Sequence, residues 1–305
     1  MTIAGQSAGG VACGALLVVP QARGLFHRAV LESGAGQGLT TPADAMKQRR
    51  VIEEELGVPA TAAELAAQPM GKLFDAIDAL AARRAAGEDL PLLLGPVIDG
   101  DVIPEAVFDA VRSGATNDID LIVGVTSEEF DMVHILDAAR FDDEEPFRAA
   151  LAGVGLRDER ATRFTELYPD MPRWKVAGQS LTDRIFRATA DELATARAEA
   201  GAPVFAYEFR WQSPALGGIG ASHCMEIPYA FDNLDAEGVT AVAGDAPPQS
   251  LADAMHAAWV DFIAKGDAGW PRYELADRVV KVFDDPPSVT NDPWAPQRSL
   301  WPSSP

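Results

Sequence analysis

Short apolar runs alternate along the chain with longer stretches that carry apolar residues at helical spacing, and no other feature constrains the fold as much. The runs with the length and side chains of buried strands are residues 1–4, 27–32, 120–125 and 203–209. The helical patterns are residues 9–19, 42–85, 105–114, 144–200 and 249–265. Strands that alternate with helices form a mostly parallel sheet with helices on its faces. The sequence therefore predicts an α/β fold.

Residues 1–305 are expected to form a single domain. Hydrophobic residues make up 48% of the 305 positions, which is enough for a large buried core, and no linker-like stretch divides the chain. The tail after Gly266 is rich in Pro and Trp. We expect this tail to wrap the surface of the domain.

Charge and cysteine content exclude several classes of protein. The formal net charge of −21 disfavours binding to nucleic acid or to anionic membranes, and no apolar run is long enough to span a bilayer. Cys13 and Cys224 are too few for a disulfide framework, and we expect both to be free thiols. Because no clustered His and Cys residues suggest a ligand set, we expect no metal site and no cofactor.

The pentapeptide Gly5-Gln6-Ser7-Ala8-Gly9 is a G-x-S-x-G pattern. It follows the β-prone pair Thr2-Ile3 and precedes a small, apolar helical stretch, which is the strand–turn–helix context in which this pattern exposes a nucleophilic serine. A serine hydroxyl needs a base to accept its proton and a carboxylate to orient that base. The pattern therefore predicts Ser7 as a nucleophile and a later acid and histidine as its partners.

His223 is the favoured base among the four histidines. It lies in a glycine-rich loop, LGGIGASHCMEIPYAF, that follows the strand predicted at residues 203–209. His27 is expected at the surface, His134 in the core or a pocket wall, and His256 on a partly buried helix. A loop after a strand is where a triad histidine belongs, so the context selects His223.

The acid should follow the strand predicted at residues 120–125, where Glu128 and Glu129 stand side by side. Position alone does not choose between the two glutamates. Adjacent acids also occur at helix N-termini, where they interact favourably with the helix dipole, and this purely structural role is the alternative.

Five segments together resemble the type-B carboxylesterases, the family that includes bacterial para-nitrobenzyl esterases and the cholinesterases. In the family's order they are GQSAGG with GLFHRAVLESG, GPVIDGDVIPE, GVTSEEF, SHCMEIPYAFDNL and LADAMHAAWVDFIAKGDAGWPRY. The resemblance implies an α/β-hydrolase fold with a mostly parallel sheet. It also implies a serine carboxylesterase that cleaves small-molecule esters without a cofactor.

The same resemblance assigns roles to single residues. Ser7 matches the family's nucleophile, Glu129 its acid and His223 its base. Ser33 matches a second serine that supports the triad through a hydrogen bond. The backbone N–H of Ala8 is one implied donor to the oxyanion.

The chain departs from the family pattern at three positions near these residues. Gln6 stands where the family commonly has Glu, Glu32 where it commonly has Gln, and Phe130 where it usually has Gly. None of these changes removes a triad residue. Phe130 is expected to narrow the pocket or to change its shape. Ile185 and Phe186 are further candidates for a pocket wall, with ordinary core packing as the alternative.

The family's chains carry a long segment before the serine, including a His-Gly-Gly-Gly type loop that supplies further oxyanion donors. No such loop occurs in these 305 residues. We therefore expect an N-terminally truncated domain whose isolated chain is poorly soluble or impaired in turnover. No secretion signal is recognisable, which favours a cytoplasmic location if Met1 is the natural start.

Two other interpretations stay open. One is a cholinesterase-like binding module without catalysis, and the joint presence of Ser7, Glu129 and His223 argues against it. The other is a truncated remnant without function, which fits the short segment before the serine.

Overall fold

The computed structural model describes residues 1–90 and 94–301. The chain divides into two compact units, which are described separately. The first contains Met1–Leu17, Ala22–Gln37 and the chain from Val107 onward, and the second contains Val18–Gln21 and Gly38–Ala106. The single domain over residues 1–305 stays a prediction.

In the described part of the first unit, six strands form one sheet. They are β1 (Thr2–Gln6), β2 (Arg28–Glu32), β3 (Asp120–Thr126), β4 (Val204–Phe209), β5 (Val279–Phe283) and β6 (Ser288–Asn291). The strands lie side by side in sequence order, parallel from β1 to β5, with β6 antiparallel to β5. The predicted α/β fold with a mostly parallel sheet is confirmed.

Helices follow most of the strands. They are α1 (Ala8–Leu16), α2 (Pro42–Leu56), α3 (Ala62–Ala66), α4 (Met70–Ala85), α5 (Val107–Arg112), α6 (Glu144–Gly153), α7 (Asp158–Glu166), α8 (Arg173–Leu181), α9 (Ala188–Glu199), α10 (Ile227–Ala230), α11 (Val239–Ala243), α12 (Gln249–Lys265) and α13 (Ala295–Arg298). Shorter pieces have 3-10 geometry at Pro20–Ala22, Asp131–Asp142 and Ala215–Gly217, and π-helical geometry at Thr182–Arg187. Of the α-helices, α2, α3 and α4 belong to the second unit.

The inner strands are buried along almost their whole length. The sequences of β2, β3 and β4 are RAVLE, DLIVGVT and VFAYEF, and only the first residue of β2 and of β3 is partly exposed. Parallel strands covered on both faces need such near-continuous apolar sequences, which explains why these three runs are recognisable in the sequence. On one face, the Tyr207 ring of β4 packs 5.1 Å from the Trp259 ring of α12.

The expectation that the tail after Gly266 wraps the surface is wrong for residues 279–283. These residues form β5 within the sheet, and the largely exposed β6 pairs with β5 at the edge. The buried Phe283 ring of β5 lies 5.9 Å from the ring of Trp270, so the segment belongs to the core. The apolar run VVKVF carries a strand signal, which the surrounding Pro and Trp residues obscure. Residues 302–305 lie outside the described part of the tail.

In the second unit, α2 begins where the sequence places it. Pro42 occupies its first turn, and Thr41 caps it by accepting a 3.2 Å hydrogen bond from a first-turn N–H. Gly57 ends α2 in a left-handed conformation. The stretch predicted as helical over residues 42–85 is therefore three helices, and the last of them is preceded by Pro69.

Across residues 1–90 and 94–301, no helix has the length and apolar character needed to cross a bilayer. Both cysteines are free, as predicted: Cys13 is buried and Cys224 is exposed.

Candidate active site

Ser7 occupies a sharp turn between β1 and α1. Its φ of 55° and ψ of −119° lie outside the regions that non-glycine residues ordinarily adopt. Hydrogen bonds hold the turn on both sides: Ser7 N–H donates to Glu32 O at 2.9 Å, and Val11 N–H donates to Ser7 O at 2.9 Å. The backbone of Ser7 is therefore fixed at the carboxyl end of β1, where α1 begins.

Glycines allow the backbones around this turn to approach closely. A Cβ atom on Gly5 would lie 2.2 Å from Gly9 O, and one on Gly34 would lie 2.6 Å from Ser7 O. Both distances are far below van der Waals contact, so any side chain at either position would displace the backbone. The G-x-S-x-G pattern and the glycine after Ser33 thus have a steric reason in this fold.

The buried carboxylate of Glu129 joins three segments of the chain. Its Oε1 accepts hydrogen bonds from Ser33 Oγ at 2.6 Å and from Thr126 N–H at 2.8 Å. Its Oε2 lies 2.5 Å from His223 Nδ1, which donates to it. The ends of β2 and β3 and the loop of His223 therefore meet at one side chain.

The neighbouring Glu128 faces a different group. Its Oε2 lies 3.2 Å from the ammonium nitrogen of Lys175. The sequence leaves the choice between the two glutamates open, and the structure brings Glu129 to His223.

The imidazole of His223 is held by Glu129 and by two aromatic rings. The backbone N–H of His223 donates to the backbone oxygen of Glu129 at 3.2 Å. The ring centroids of Phe130 and Phe186 lie 5.4 and 5.2 Å from the centroid of the imidazole. Burial lowers the pKa of His223. Hydrogen bonds with Cys224 and Glu129 and the negative charge of Glu129 outweigh burial and raise this pKa to about 10.

Gln6, the residue before the serine, contacts the imidazole. Its Nε2 lies 3.4 Å from Nδ1 and 3.5 Å from Nε2 of His223, and its Oε1 accepts from the Cys224 thiol at 3.1 Å. Among the hydrogen bonds of the described residues, none joins Ser7 Oγ to His223. The candidate acid and base are therefore in contact, whereas the bond from serine to base is not formed.

A model of the carboxylesterase family matches residues 1–297, nearly the whole chain. The chain belongs to the carboxylesterase family. Para-nitrobenzyl esterase of Bacillus subtilis is 30% identical to it over 312 residues, covering 99% of this chain and 62% of that protein. Phenmedipham hydrolase of Pseudarthrobacter oxydans is 30% identical over 301 residues, covering 93% of this chain and 59% of that protein.

Solved structures of carboxylesterases share the fold. A Geobacillus stearothermophilus carboxylesterase superposes with a TM-score of 0.83 at 32% identity, covering 98% of this chain and 63% of that one. A PNB esterase superposes with a TM-score of 0.77 at 28% identity, covering 98% and 62%. The expected α/β-hydrolase fold is confirmed. This carboxylesterase-family chain spans about three fifths of the length of the relatives that it matches.

The other three histidines of this carboxylesterase-family chain lie away from Glu129. His27 Nδ1 lies 3.2 Å from the N-terminal nitrogen, at the surface. The His134 ring packs 4.5 Å from the ring of Phe141, and His256 Nδ1 lies 2.9 Å from Ala230 O on α10. Each has a structural contact of its own, as expected from the sequence.

Two of the three candidate pocket residues lie beside the imidazole of His223. Phe130 and Phe186 meet edge to face, 5.0 Å apart, beside His223. Ile185 is half-buried in the same π-helical turn as Phe186. π-helical turns are frequent at functional sites, and this one presents Phe186 to the imidazole. A role of these side chains in substrate recognition stays a prediction.

A hydrogen bond that the sequence did not predict fixes Phe130. Its N–H donates to Thr182 Oγ1 at 2.9 Å. A Cβ atom on Gly178 of α8 would lie 2.4 Å from Phe130 O, so α8 approaches this loop as closely as the backbone allows. The loop after the candidate acid is therefore anchored on α8 and the π-helical turn. These contacts join segments that meet only in the folded chain, so the spacing of residues in the sequence does not predict them.

Two further buried acids lie behind Glu129. Glu32 accepts a 2.7 Å hydrogen bond from the Trp259 indole; burial raises its pKa to about 7, against the effect of that bond. Glu226 is fully buried, and neither of its carboxylate oxygens has a hydrogen bond from any described residue. Burial and the charges of Glu129 and Glu32 raise the pKa of Glu226 well above its ordinary value. The sequence pattern does not predict either residue as part of the site.

The raised pKa of Glu32 predicts how stability depends on pH. Between the ordinary pKa of 4.5 and about 7, the folded protein binds this proton and the unfolded chain does not. The resulting stabilisation is complete below 4.5 and is lost as pH rises through about 7. Glu32→Gln keeps an acceptor for Trp259, so we expect it to raise the free energy of unfolding by roughly 3 kcal/mol at about pH 9 and far less at about pH 5.

Urea unfolding at both pH values measures this difference. Glu166→Gln, at an exposed position of α7, is the matched control and should change stability equally at both. If Glu32→Gln gave the same change at both pH values, the assignment of a raised pKa to Glu32 would be wrong.

Proposed function

We propose that this chain carries the catalytic residues of a serine carboxylesterase, with Ser7 as nucleophile, His223 as general base and Glu129 as the acid that orients the base. The observation that carries the proposal is the chain of contacts from Ser33 Oγ through Glu129 to His223 Nδ1, at 2.6 and 2.5 Å. Ser7 lies in a strained turn at the end of β1, and membership of the carboxylesterase family supports the reaction class.

In this mechanism, Ser7 Oγ attacks the ester carbonyl carbon while His223 Nε2 accepts the hydroxyl proton. The tetrahedral adduct collapses, the bond to the alcohol oxygen breaks, and His223 returns the proton to the leaving alcohol. Water then attacks the acyl-enzyme with His223 again as the base, and the carboxylic acid leaves from Ser7. Glu129 stays ionised, accepts the hydrogen bond from Nδ1–H and stabilises the imidazolium.

The oxyanion needs backbone donors. Ala8 is the first residue of α1, so its N–H is one of the first-turn donors that have no partner inside the helix. Loss of one oxyanion donor typically costs ~10²–10³ in turnover. Because the loop that supplies further donors in the family does not occur in these 305 residues, we expect slow turnover by this chain alone.

We propose a small-molecule carboxylic ester as the substrate. The names of three relatives refer to para-nitrobenzyl esters, phenmedipham and fumonisin B1. Membership of the family alone therefore does not determine the acyl or alcohol group of this chain's substrate. The rings of Phe130 and Phe186 lie 5.4 and 5.2 Å from the imidazole and 5.0 Å from each other, which favours an apolar, compact group next to His223. Ile185 extends the same apolar turn.

Hydrolysis of para-nitrophenyl acetate by the purified chain tests the proposal. We expect slow hydrolysis that Ser7→Ala abolishes. The rate should increase with pH above the ordinary histidine pKa, because the base must be neutral and the pKa of His223 is raised. Ser250→Ala, at an exposed position of α12, is the control and should hydrolyse at the wild-type rate. Equal rates for wild type and Ser7→Ala would contradict the proposal and favour a binding module or a remnant.

Ser33→Ala tests the hydrogen bond that orients Glu129. The variant keeps Thr126 N–H as a donor to the same carboxylate oxygen but loses the hydroxyl donor at 2.6 Å. We expect kcat/KM to fall about tenfold, because hydrogen bonds to charged groups are the stronger ones. Steady-state kinetics measure the change, with Ser250→Ala again unaffected. An unchanged kcat/KM would show that Ser33 has no supporting role.

A further inference from the structure

The acid loop, residues 127–130, carries Glu129 and lies between two other segments. One is the base loop, residues 221–223. The other is the clamp segment, residues 179–187, which runs from the last turn of α8 through the π-helical turn. The Glu129 carboxylate contacts the His223 ring of the base loop at 2.5 Å. This contact depends on what holds the acid loop between its two neighbours.

The peptide unit between Ser127 and Glu128 is hydrogen-bonded at both ends. Its carbonyl oxygen accepts from Arg187 Nη2 at 2.9 Å and from Gln179 Nε2 at 3.2 Å, both in the clamp segment. Its N–H donates to Ala221 O of the base loop at 3.1 Å. A peptide unit is planar, so a partner at each end fixes its orientation. This unit therefore joins the clamp segment to the base loop just before the candidate acid.

The peptide unit between Glu129 and Phe130 repeats this arrangement. Its carbonyl oxygen accepts from the backbone N–H of His223 in the base loop at 3.2 Å. Its N–H donates to Thr182 Oγ1 in the clamp segment at 2.9 Å. The candidate acid thus lies between two peptide units, and each unit is bound by the base loop at one end and by the clamp segment at the other.

The side chains of the clamp segment are themselves held in place. Gln179, Thr182 and Arg187 are all almost completely buried. The Arg187 guanidinium pairs with Asp183 in the same segment, and its Nε donates to Glu208 Oε1 of β4 at 3.1 Å. The Gln179 amide also donates to Asp183 Oδ1 at 2.9 Å. Buried carboxylates therefore fix the two side chains that donate to the acid loop, which is the kind of support that precise positioning needs.

We propose that the clamp segment positions the acid: Gln179, Thr182 and Arg187 hold the acid loop against the base loop. They thereby keep the Glu129 carboxylate at hydrogen-bond distance from the His223 ring. All three are positioning residues, because they act through the acid and not on the ester. The proposal rests on the proposed roles of Glu129 and His223.

Several groups act on the charge of His223, and the clamp controls one of them. Burial lowers the pKa of the ring, whereas the contacts with Cys224 and Glu129 raise it. Glu32 and Glu226 lie behind Glu129. The other side chains that contact the ring, one amide and two phenyl rings, carry no charge. A displaced acid loop weakens the contact with Glu129, so it should lower the pKa of His223.

Nitrogen NMR of the histidine-labelled chain tests the clamp without any reaction. The signal lost in His223→Gln identifies His223 among the four histidines. Thr182→Val keeps the shape of the side chain but leaves the Phe130 N–H without its acceptor. We expect it to lower the pKa of His223 by about half a unit to one unit, because the carboxylate is less well placed to stabilise the imidazolium. Thr182→Ser keeps the hydroxyl and should retain the wild-type pKa.

A second pair of variants tests the other peptide unit. Arg187→Lys keeps a positive charge beside Glu208 but lacks the guanidinium fork that also reaches Ser127 O. We expect the pKa of His223 to fall in this variant too. Arg210→Lys is the matched control: Arg210 donates to the other carboxylate oxygen of Glu208 at 2.7 Å. Among the described residues it has no hydrogen bond to the acid loop, so the pKa of His223 should stay unchanged.

A background without the charge of the acid separates positioning from a general loss of packing. In Glu129→Gln, adding Thr182→Val should change the pKa of His223 no further, because the carboxylate that the clamp positions is absent. The His256 signal should keep its wild-type position in every variant, and a joint shift of both histidines would count against the clamp. An unchanged His223 pKa in both Thr182→Val and Arg187→Lys would overturn it, as would an equal change with and without the charge of Glu129.

Hydrolysis of para-nitrophenyl acetate separates the clamp from the proposed function. We expect kcat to fall about three- to tenfold in Thr182→Val with KM nearly unchanged, because the same base serves both half-reactions and the clamp does not contact the ester. Thr182→Ser should retain the wild-type kcat. A raised KM with unchanged kcat would contradict the clamp. If the wild-type chain showed no hydrolysis that depends on Ser7, the proposed function would fail, and the NMR titrations would still decide on the clamp.

Discussion

The contact between Glu129 and His223 is the interaction on which the site depends. A carboxylate oxygen and a ring nitrogen 2.5 Å apart join the loop after β3 to the loop after β4. The parallel sheet makes this contact possible, because the carboxyl ends of parallel strands lie at one edge. Ser33, at the end of β2, donates to the same carboxylate, and Ser7, at the end of β1, has its N–H bound to β2. Four successive strands thus deliver the residues of the site to one place.

The three buried acids Glu32, Glu129 and Glu226 differ in the number of hydrogen-bond donors that their carboxylates contact. Glu129 accepts from Ser33, Thr126 and His223, whereas Glu32 accepts from Trp259. Glu226 has no donor to its carboxylate among the described residues. Burial raises the pKa of Glu32 to about 7 and, together with the charges of Glu129 and Glu32, raises the pKa of Glu226 well above its ordinary value. Glu129 has the most hydrogen-bond donors of the three acids, and these donors hold its carboxylate against His223.

The sequence predicts the parts of this arrangement that depend on local pattern. The inner strands are visible because they are apolar from end to end, and Ser7 and His223 are visible from their turn and loop contexts. The choice of Glu129 over Glu128 needed either the family resemblance or the geometry. The strand β5 is obscured in the sequence by a Pro- and Trp-rich tail, although its VVKVF run has strand character. The Gln6–Cys224 contact and the buried Glu226 depend on segments that meet only in the folded chain, so no spacing rule reveals them.

Trapping of the acyl-enzyme tests the central claim most directly. The chain is mixed with a para-nitrophenyl ester, quenched with acid and digested, and the acylated peptide is identified by mass spectrometry. The account predicts one acyl group on Ser7, with less accumulated at short times in His223→Gln because the base that activates the serine is absent. An acyl group on another residue, or equal acylation of wild type and Ser7→Ala, would contradict it.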